Sequence, residues 1–406
     1  MEAGAVCKLE AWILPEMIKK VENNMDQNLD SLRREIDEQD QILLKAFQNR
    51  MAVSLQIAEY KAKNNQPVYA PQRERELLDR LTQQASPQLR SYVRAFFLDI
   101  MQLSKSAQYR ANEEDKYTQI LKSALETSPK MLEPGQMVAC QGVEGAYSQQ
   151  AVETMFDFPN ILYFSTFEGV FRAIDSGLCR YGVLPIENST AGSVGAVYDL
   201  MLKYNFSIIK SCRVKVDHCL LVPKGVRLED VREIFSHEQA INQCGEFLST
   251  LGKDVKITAV RNTAEAAKMV ASGERRDVAA ISSHSCAELY GLDVVREDIQ
   301  SSGNNHTRFI CISKNLEILP GADRTSLMLT LPHRPGALFS VMSKINAYGI
   351  NLEKLESRPL PNRDFEFMFY FDLRTPVYSE DLGGLLSHLE KTCESFRYLG
   401  SYLECV

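Results

Sequence analysis

The N-terminal part of the chain contains an unbroken helical pattern. It reads LDSLRREIDEQDQILLKAFQNRMAVSLQIAEYKAK, from Leu29 to Lys63, without a glycine or a proline. Because those two residues most readily end or kink a helix, the pattern predicts one long helix. NNQPVYAP follows it, and two further helical patterns lie near 71–85 and 87–125. We therefore expect an all-α domain over residues 29–112.

One face of the predicted helix mixes apolar side chains with cations. Steps of alternating four and three residues define a stripe of Leu29, Arg33, Ile36, Asp40, Leu43, Phe47, Arg50, Ser54, Ile57 and Lys61. Buried charge without a partner is costly, so Arg33, Arg50 and Lys61 together indicate an anion-binding site. The alternative is that the cations extend to solvent or pair with Asp40.

The spacing of these cations limits how they act together. Along a straight helix Arg50 and Lys61 are roughly 16 Å apart, and Arg33 is roughly 26 Å from Arg50. One small ligand contacts all three only if Arg33 comes from a second chain, as in an antiparallel dimer of the helix. Residues on the next two helices are further candidates for this site: Arg73, Glu74 and Gln108.

Residues 137–314 alternate short apolar runs with helical patterns. MVAC, YGVLPI and VAAI predict buried strands, whereas TFEGVFRAIDSG and TAEAAKMVASGE predict amphipathic helices. This alternation is typical of an α/β domain with a largely parallel sheet. The β-rich run SIIKSCRVKVDHCLLVP favours a crossing between two lobes, with a ligand cleft between them.

Residues 325–406 form a third predicted domain. Their strands and helices follow the order βαββαβ, which indicates an α+β ferredoxin-like fold. The remaining segments are a leader at 1–28, which has no clear pattern, and a helix end and linker at 113–136.

The composition excludes several classes of partner. A net charge of −7 argues against a nucleic acid held through its phosphates. No apolar run reaches the roughly 18 residues that a membrane span needs. The ten cysteines include no C-x-x-C pair and the N-terminal region is a poor secretory signal, which favours reduced thiols and a cytoplasmic location. The six histidines are scattered, so we expect no metal and no cofactor.

The candidate residues of the helical domain resemble the pattern of the all-helical chorismate mutases. That family has an arginine near the start of a long helix, a second arginine, a lysine, an Arg–Glu pair and a late glutamine. The matching residues here are Arg33, Arg50, Lys61, Arg73, Glu74 and Gln108. The resemblance implies that the arginines bind the carboxylates of chorismate, and that Lys61, Gln108 and Glu74 assist the rearrangement.

One position departs from this family pattern. Related bacterial enzymes often carry an aspartate where Ala70 stands. Either the backbone of this position suffices, or the missing carboxylate lowers turnover. In the second case the helical domain is only a dimerisation arm.

The middle segment resembles the prephenate dehydratases through four motifs: GVEGAYS, YGVLPIENSTAGSV, SHEQAINQC and NHTRF. In that family the threonine of the last motif acts at the leaving hydroxyl group of prephenate, and it corresponds to Thr307. The resemblance implies that Arg308 anchors a carboxylate, whereas His306 occupies a variable position. The other expected substrate-binding residues are Glu187, Asn188, Ser189, Gln243, Asn305 and Phe309.

The C-terminal segment resembles the phenylalanine-responsive ACT domains through PGALF and ESRP. Free N–H groups at the start of a helix bind a carboxylate well, and small residues there allow close approach. The resemblance implies an effector site formed by Gly336, Ala337, Leu338, Glu356, Ser357, Arg358 and Pro359. Such domains usually pair, which predicts a homo-oligomer, either a dimer or a tetramer.

Together the three resemblances predict a bifunctional chorismate mutase and prephenate dehydratase that L-phenylalanine inhibits. The product of the first site is the substrate of the second, so chorismate and prephenate are the expected substrates. Three alternatives remain open at this point. One is an arogenate dehydratase, and another is a dehydratase whose helical domain is only a dimerisation arm. The third is a non-catalytic regulator that binds an amino acid in a closed cleft.

Overall fold

The computed structural model describes residues 29–64, 66, 70–110, 116–252, 254–360 and 366–405. The leader at 1–28 lies outside these residues. The described chain divides into two compact units. The first contains the N-terminal helices together with 338–349, and the second contains 116–337 together with 350–405.

The first unit is helical. Its helices are α1 (Leu29–Lys63), α2 (Pro71–Gln84), α3 (Arg90–Arg110) and α12 (Ala337–Ala347), with a 3-10 turn at Pro87–Leu89. Proline stands at the first position of α2, where its missing N–H has no helical partner to lose. The predicted long helix is therefore confirmed, and the break after it falls where NNQPVYAP placed it.

Most of α1 is uncovered in the single chain. Only Ser54 and Ala58 of this helix are buried. Leu29 and Ile36 expose 59% and 60% of their surface, and Leu43 exposes 52%. The apolar stripe therefore has no cover within the described chain, although apolar residues on a stable helix normally need one.

The second unit begins with α4 (Lys116–Thr127) and is then built around two sheets. Its strands in the first sheet are β1 (Met137–Gln141), β2 (Asn160–Phe164), β3 (Tyr181–Asn188), β4 (Gly192–Ser193), β5 (Ser207–Lys215), β11 (His306–Ser313), β12 (Arg324–Thr330), β13 (Asn351–Pro359), β14 (Phe367–Arg374) and β15 (Ser395–Cys405). The strands of the second sheet are β6 (Cys219–Val222), β7 (Glu233–His237), β8 (Lys256–Val260), β9 (Val278–Ser282) and β10 (Asp293–Arg296). The helices are α5 (Tyr147–Met155), α6 (Phe167–Asp175), α7 (Gly195–Lys203), α8 (Glu238–Gln243), α9 (Gly245–Thr250), α10 (Thr263–Ser272), α11 (His284–Tyr290) and α13 (Glu380–Glu390), with a 3-10 turn at Leu228–Asp230.

The two sheets give the middle segment two lobes, as predicted. The β-rich run crosses between them, because β5 ends at Lys215 in the first sheet and β6 begins at Cys219 in the second. The chain returns to the first sheet through β11, which lies between β5 and β3 and runs antiparallel to both. Two connections, at 216–218 and 297–305, therefore join the lobes, and the second contains Asn305 of the NHTRF motif.

The C-terminal segment has the predicted ferredoxin-like topology. Its strands are arranged in the order β13-β14-β12-β15, and neighbouring strands are antiparallel. The sequence did not indicate that this sheet would join that of the first lobe. β15 pairs in parallel with β5, at Leu403 with Lys210 and Cys405 with Cys212.

A glycine permits this junction. Gly400 has a φ of +132°, and a Cβ added there would lie 2.3 Å from the backbone oxygen of Ile208. No larger residue fits that approach without moving β5. The first lobe and the C-terminal segment therefore share one continuous sheet of ten strands.

Helix α4 lies in the segment 113–136, for which the sequence predicted a helix end and a linker. It packs on the C-terminal segment, since the ring of Tyr117 lies edge-on to Phe396 at 5.7 Å and its hydroxyl group donates to Glu390 Oε1 at 3.1 Å. Lys116 pairs with the same carboxylate at 2.6 Å. This segment is part of the second unit rather than a free connection.

Candidate active sites

The first candidate site is a cavity of about 580 Å³ between the helices of the first unit. Among the residues that line it are Arg50, Ser54, Lys61, Ala70, Arg73, Glu74, Ser104, Lys105 and Gln108. Five of the six candidates from the sequence therefore lie around one cavity. The sixth, Arg33, does not reach it: its side chain is 66% exposed and lies 3.4 Å from Asp30.

Contacts between helices orient the polar side chains of this cavity. Arg50 donates to the hydroxyl group of Ser104 and lies 3.5 Å from the carbonyl of Ile100. Partial burial lowers the pKa of Arg50 from its usual value, yet an arginine stays charged under any physiological condition. Gln108 Nε2 donates to Ser54 Oγ at 2.7 Å.

Lys105 is a cavity residue that the sequence analysis missed. Its ammonium group lies 2.9 Å from a carboxylate oxygen of Glu74, and only 10% of its side chain is exposed. The carboxylate of Glu74 therefore has a cationic partner inside the site, which reduces its repulsion of an anionic ligand. The spacing of Lys105 from Gln108 on α3 was the available signal, because residues three apart share a helix face.

The second candidate site lies where the two lobes of the second unit meet. Asn188 ends β3 and Thr307 is the second residue of β11, and the two residues are paired in register. Asn188 Nδ2 donates to Thr307 Oγ1 at 2.9 Å and to Asn305 Oδ1 at 2.7 Å. No group in the described part of the chain accepts the hydroxyl hydrogen of Thr307, so this hydrogen is available to a ligand.

The second lobe contributes Gln243, at the end of α8. Its Nε2 donates to Thr190 Oγ1 at 2.8 Å, and its Oε1 accepts from Asn305 Nδ2 at 3.1 Å. Ser189 instead connects two backbone groups. Its hydroxyl group donates to the carbonyl of Asn304 at 2.8 Å and accepts from the N–H of His306 at 2.9 Å. Side chains from both lobes thus form one polar network around Thr307.

Arg308, the expected anchor of a substrate carboxylate, lines a cavity of about 290 Å³ with Glu187 and His306 but already has acidic partners within the chain. Its side chain is 9% exposed and pairs with Asp372 of β14 and, at 3.2 Å, with Glu404 of β15. Tyr402 accepts a further hydrogen bond from it at 2.9 Å. These acidic and phenolic groups raise the pKa of Arg308 despite its burial.

Arg308 faces its acidic partners because side chains alternate along a strand. Thr307 pairs with Asn188, and the next pair is Arg308 with Glu187. The first pair faces the lobe junction, so the second faces the C-terminal sheet, where Glu187 lies 2.8 Å from Lys354. Glu187 is therefore turned away from Thr307 as well.

Phe309 also differs from its expected role as a substrate-binding residue. It is 2% exposed and belongs to a buried apolar cluster of the first lobe. A register shift between Arg308 and Phe309 accompanies its entry into that cluster. Its contribution is packing behind β11 rather than contact with a ligand.

His218 is a second residue that the sequence analysis missed. It stands at the crossing between the lobes, is 2% exposed, and places its Nε2 2.9 Å from Gln243 Oε1. One isolated histidine in VDHCLLVP gave no signal for this position. His306, by contrast, is half-buried and its side chain takes no part in the network described above.

The expected effector motifs occupy the following positions. Gly336 has a φ of +80° immediately before α12, which begins at Ala337 and continues through Leu338. On β13, Glu356 accepts from Ser193 Oγ at 2.6 Å and Arg358 lies 3.0 Å from Asp199. Ser357 and Pro359 are on the opposite, exposed face of that strand.

The described residues contain no group of three or more histidine, cysteine, aspartate and glutamate side chains arranged to hold a metal ion. Of the helices described, none is long and apolar enough to cross a membrane.

Comparison with protein families matches two parts of the chain. Residues 32–109 match the family described as chorismate mutase type II, and residues 138–317 match prephenate dehydratase. A bifunctional chorismate mutase/prephenate dehydratase of Aquifex aeolicus is 28% identical, with 93% of this chain and 98% of that protein covered. An arogenate dehydratase/prephenate dehydratase of Arabidopsis thaliana is 39% identical, with 65% of this chain and 72% of the relative covered.

A solved structure supports the same relationship. The prephenate dehydratase of Arthrobacter aurescens, in complex with L-Phe, superposes with a TM-score of 0.61 at 26% identity. The alignment covers 66% of this chain and 90% of that one.

Proposed function

Because the chain belongs to the prephenate dehydratase family and carries a chorismate mutase domain ahead of its dehydratase domain, we propose that it catalyses two successive reactions. It rearranges chorismate to prephenate, then converts prephenate to phenylpyruvate by loss of carbon dioxide and hydroxide. The observation that carries the proposal is one chain with two polar sites, each surrounded by side chains that suit one of these steps.

The mutase site suits a reaction without a nucleophile. The rearrangement is unimolecular, so the protein has to hold the substrate compact and stabilise charge on the breaking ether oxygen. Arg50 and Arg73 are suited to the carboxylates because a guanidinium group binds them bidentately. Lys61 and Gln108 line the same cavity and are the proposed donors to the ether oxygen.

We assign Arg33 to the same reaction through a second copy of the chain. In one chain its side chain is 66% exposed, and the apolar side chains beside it on α1 are also exposed. An antiparallel pairing of two α1 helices covers that stripe and brings Arg33 of the partner subunit to the cavity. The proposed unit of mutase activity is therefore a dimer.

Complementation tests this dimer directly. Arg33→Ala and Lys61→Ala are each expected to abolish mutase activity, because each removes one cation from every site. Mixed dimers of the two variants regain one intact site, so an equal mixture recovers about a quarter of the wild-type activity. No recovery in a mixture shown to exchange subunits places Arg33 outside the site.

The dehydratase site suits a reaction that is driven by aromatisation. The ring carboxylate leaves as carbon dioxide, its bond electrons enter the ring, and the hydroxyl group at the opposite ring carbon departs. We propose that the hydroxyl group of Thr307 donates a hydrogen bond to this oxygen, which departs as hydroxide. Asn188 and Gln243 keep Thr307 in place through the network that surrounds it.

We further propose that L-phenylalanine inhibits this step at an ACT domain formed by the C-terminal segment. The Arthrobacter relative was solved with L-Phe, which supports the ligand. Three contacts support the coupling: the continuous sheet, the Ser193–Glu356 hydrogen bond and the Glu187–Lys354 pair. The last two connect β13, the strand that ends in ESRP, to the motif that contains Asn188, and the first joins its sheet to that of the first lobe.

Prephenate rather than arogenate is the proposed substrate, because the mutase domain of the same chain produces prephenate. Relative rates on the two compounds, with and without L-phenylalanine, test both parts of the proposal. We expect faster turnover of prephenate, inhibition by phenylalanine, and weaker inhibition in Ser193→Ala. Faster turnover of arogenate would contradict the substrate assignment, and an unchanged rate with phenylalanine would contradict the effector site.

A further inference from the structure

A buried imidazole behind the dehydratase site has no role in the mechanism above. His218 is 2% exposed, and its Nε2 lies 2.9 Å from Gln243 Oε1. Its Nδ1 is buried and has no hydrogen-bond partner in the described part of the chain. A buried polar ring that uses one nitrogen only is costly to keep, which suggests that the single bond matters.

Two backbone amides fix the direction of the hydrogen bonds around Thr307. The N–H groups of Thr190 and Ala191 both point at one terminal atom of Asn188, at 3.1 Å and 2.9 Å. Because two donors meet that atom, it has to be the oxygen, Oδ1. The other atom, Nδ2, is therefore the donor that faces Thr307 Oγ1.

The same reasoning extends to Gln243. The hydroxyl group of Thr190 lies 2.7 Å from Asn188 Oδ1, so it donates there and accepts from Gln243 Nε2 at 2.8 Å. Asn305 Oδ1 accepts from Asn188, so Asn305 uses its Nδ2 to donate to Gln243. The atom of Gln243 that faces His218 is thus an oxygen.

An acceptor opposite His218 requires a proton on its Nε2. Burial lowers the pKa of His218, although Gln243 and Asp217 oppose that effect, so the ring is neutral near neutral pH. A neutral ring with hydrogen on Nε2 leaves Nδ1 as an unprotonated nitrogen, in agreement with its lack of an acceptor among the described residues. The network then runs in one direction from the imidazole to the threonine.

We propose that His218 is a positioning residue of the dehydratase, which holds the amide of Gln243 in the one orientation that leaves the hydrogen of Thr307 directed at the substrate. With the amide reversed, the amino group of Gln243 would meet two donors, His218 and Asn305. Its oxygen would meet Thr190 and compete for the hydrogen now donated to Asn188. The inference rests on the proposed dehydratase reaction and adds to it a residue that never contacts the substrate.

Three substitutions separate this role from simple packing. His218→Gln can place an amide N–H near the position of Nε2, whereas His218→Asn is too short and His218→Leu has no donor. We expect kcat to fall about tenfold in the Asn and Leu variants and to be largely retained in the Gln variant, with little change in KM. His284→Gln, an exposed histidine of the same lobe, is the matched control.

Repeating the His218 substitution in a Gln243→Leu variant tests whether His218 acts through Gln243. In Gln243→Leu, adding His218→Leu should change kcat less than about twofold, because the acceptor is already absent. Equal losses in both backgrounds, or full activity of His218→Leu, would overturn the inference. The rates of the wild type and the variants are measured with both prephenate and arogenate. A wrong substrate assignment would then appear as faster turnover of arogenate by the wild type, independently of the variants.

A measurement that does not depend on enzyme activity completes the test. Nitrogen-15 NMR of histidine-labelled protein, with His218→Gln used for assignment, reports which ring nitrogen carries hydrogen. The neutral tautomer protonated at Nε2 is expected. Hydrogen on Nδ1, or a charged ring near neutral pH, would contradict the proposed direction of the network even if every variant lost activity.

Discussion

Arg308→Leu separates two readings of the NHTRF motif. If Arg308 anchored a substrate carboxylate, its removal would raise the KM for prephenate and leave stability nearly unchanged. In the structure its side chain is 9% exposed, and its partners Asp372 and Glu404 are 1% and 9% exposed. The substitution therefore leaves the buried carboxylate of Asp372 without its cation, whereas Glu404 keeps Arg213 and Arg324 as partners.

The size of the effect follows from that burial. Breaking a buried ion pair from one side costs about 3–5 kcal/mol, because the remaining charge stays in a poorly solvated position. For a unit of this size that loss lowers the unfolding midpoint by on the order of 10 °C. KM should change less than about threefold, since the side chain faces away from Thr307.

The assay combines thermal unfolding with initial rates on prephenate at a temperature where the variant is folded. Arg213→Leu is the control, because Arg213 also pairs with Glu404, at 3.2 Å, but 59% of its side chain is exposed. Its loss should cost less than about 1 kcal/mol. Arg308→Lys retains a charge and provides a second variant to measure if Arg308→Leu does not fold. A large rise in KM with an unchanged midpoint would refute this reading of Arg308.

Substitutions at three further positions have expected outcomes. Thr307→Val should lower dehydratase kcat by about 10²–10³-fold with an unchanged unfolding midpoint, whereas Thr307→Ser keeps the hydroxyl group and most of the rate. Ala70→Asp should stabilise the protein by about 1 kcal/mol in thermal unfolding, because Ala70 begins α2 without a side-chain cap. Glu233→Gln should destabilise it, because Lys256, Thr258 and Arg275 lower the pKa of Glu233 to about 2. That difference is complete above the usual value of 4.5 and should disappear as the pH falls toward about 2, measured by denaturant unfolding.

Much of the fold followed from local patterns. The stretch without glycine or proline specified α1, and the strand and helix order of residues 325–406 specified the ferredoxin-like topology. Both are properties of neighbouring residues, which a sequence displays directly. The pairing of β15 with β5 joins residues far apart in the chain and depends on the space at Gly400, so no local pattern announced it.

For the candidate sites, too, the sequence indicated local motifs but not the distant residues that they contact. Thr307 and Asn188 stand out in sequence because their motifs are distinctive, and the structure brings the two side chains together. Adjacent residues of a strand face opposite sides, and a motif does not state which side holds the ligand. Arg308 was therefore read as a substrate anchor, although Asp372 and Glu404 lie on its side of the sheet.

The sequence also did not indicate which polar side chains are buried. Lys105 and His218 are inconspicuous in sequence, and their relevance appears only from the groups they contact. For Arg33, by contrast, the spacing along the helix was informative. Its sequence position placed it beyond the reach of Arg50 in one chain, and its exposure in the single chain agrees with that spacing.

Product analysis after chorismate is supplied to the intact protein tests the central claim most directly. The account predicts that the wild type converts chorismate to phenylpyruvate, whereas Thr307→Val accumulates prephenate at an unchanged rate of chorismate consumption. Lys61→Ala should leave chorismate unconsumed yet still convert added prephenate. Phenylpyruvate formation by Thr307→Val at the wild-type rate, or chorismate left untouched by the wild type, would contradict it.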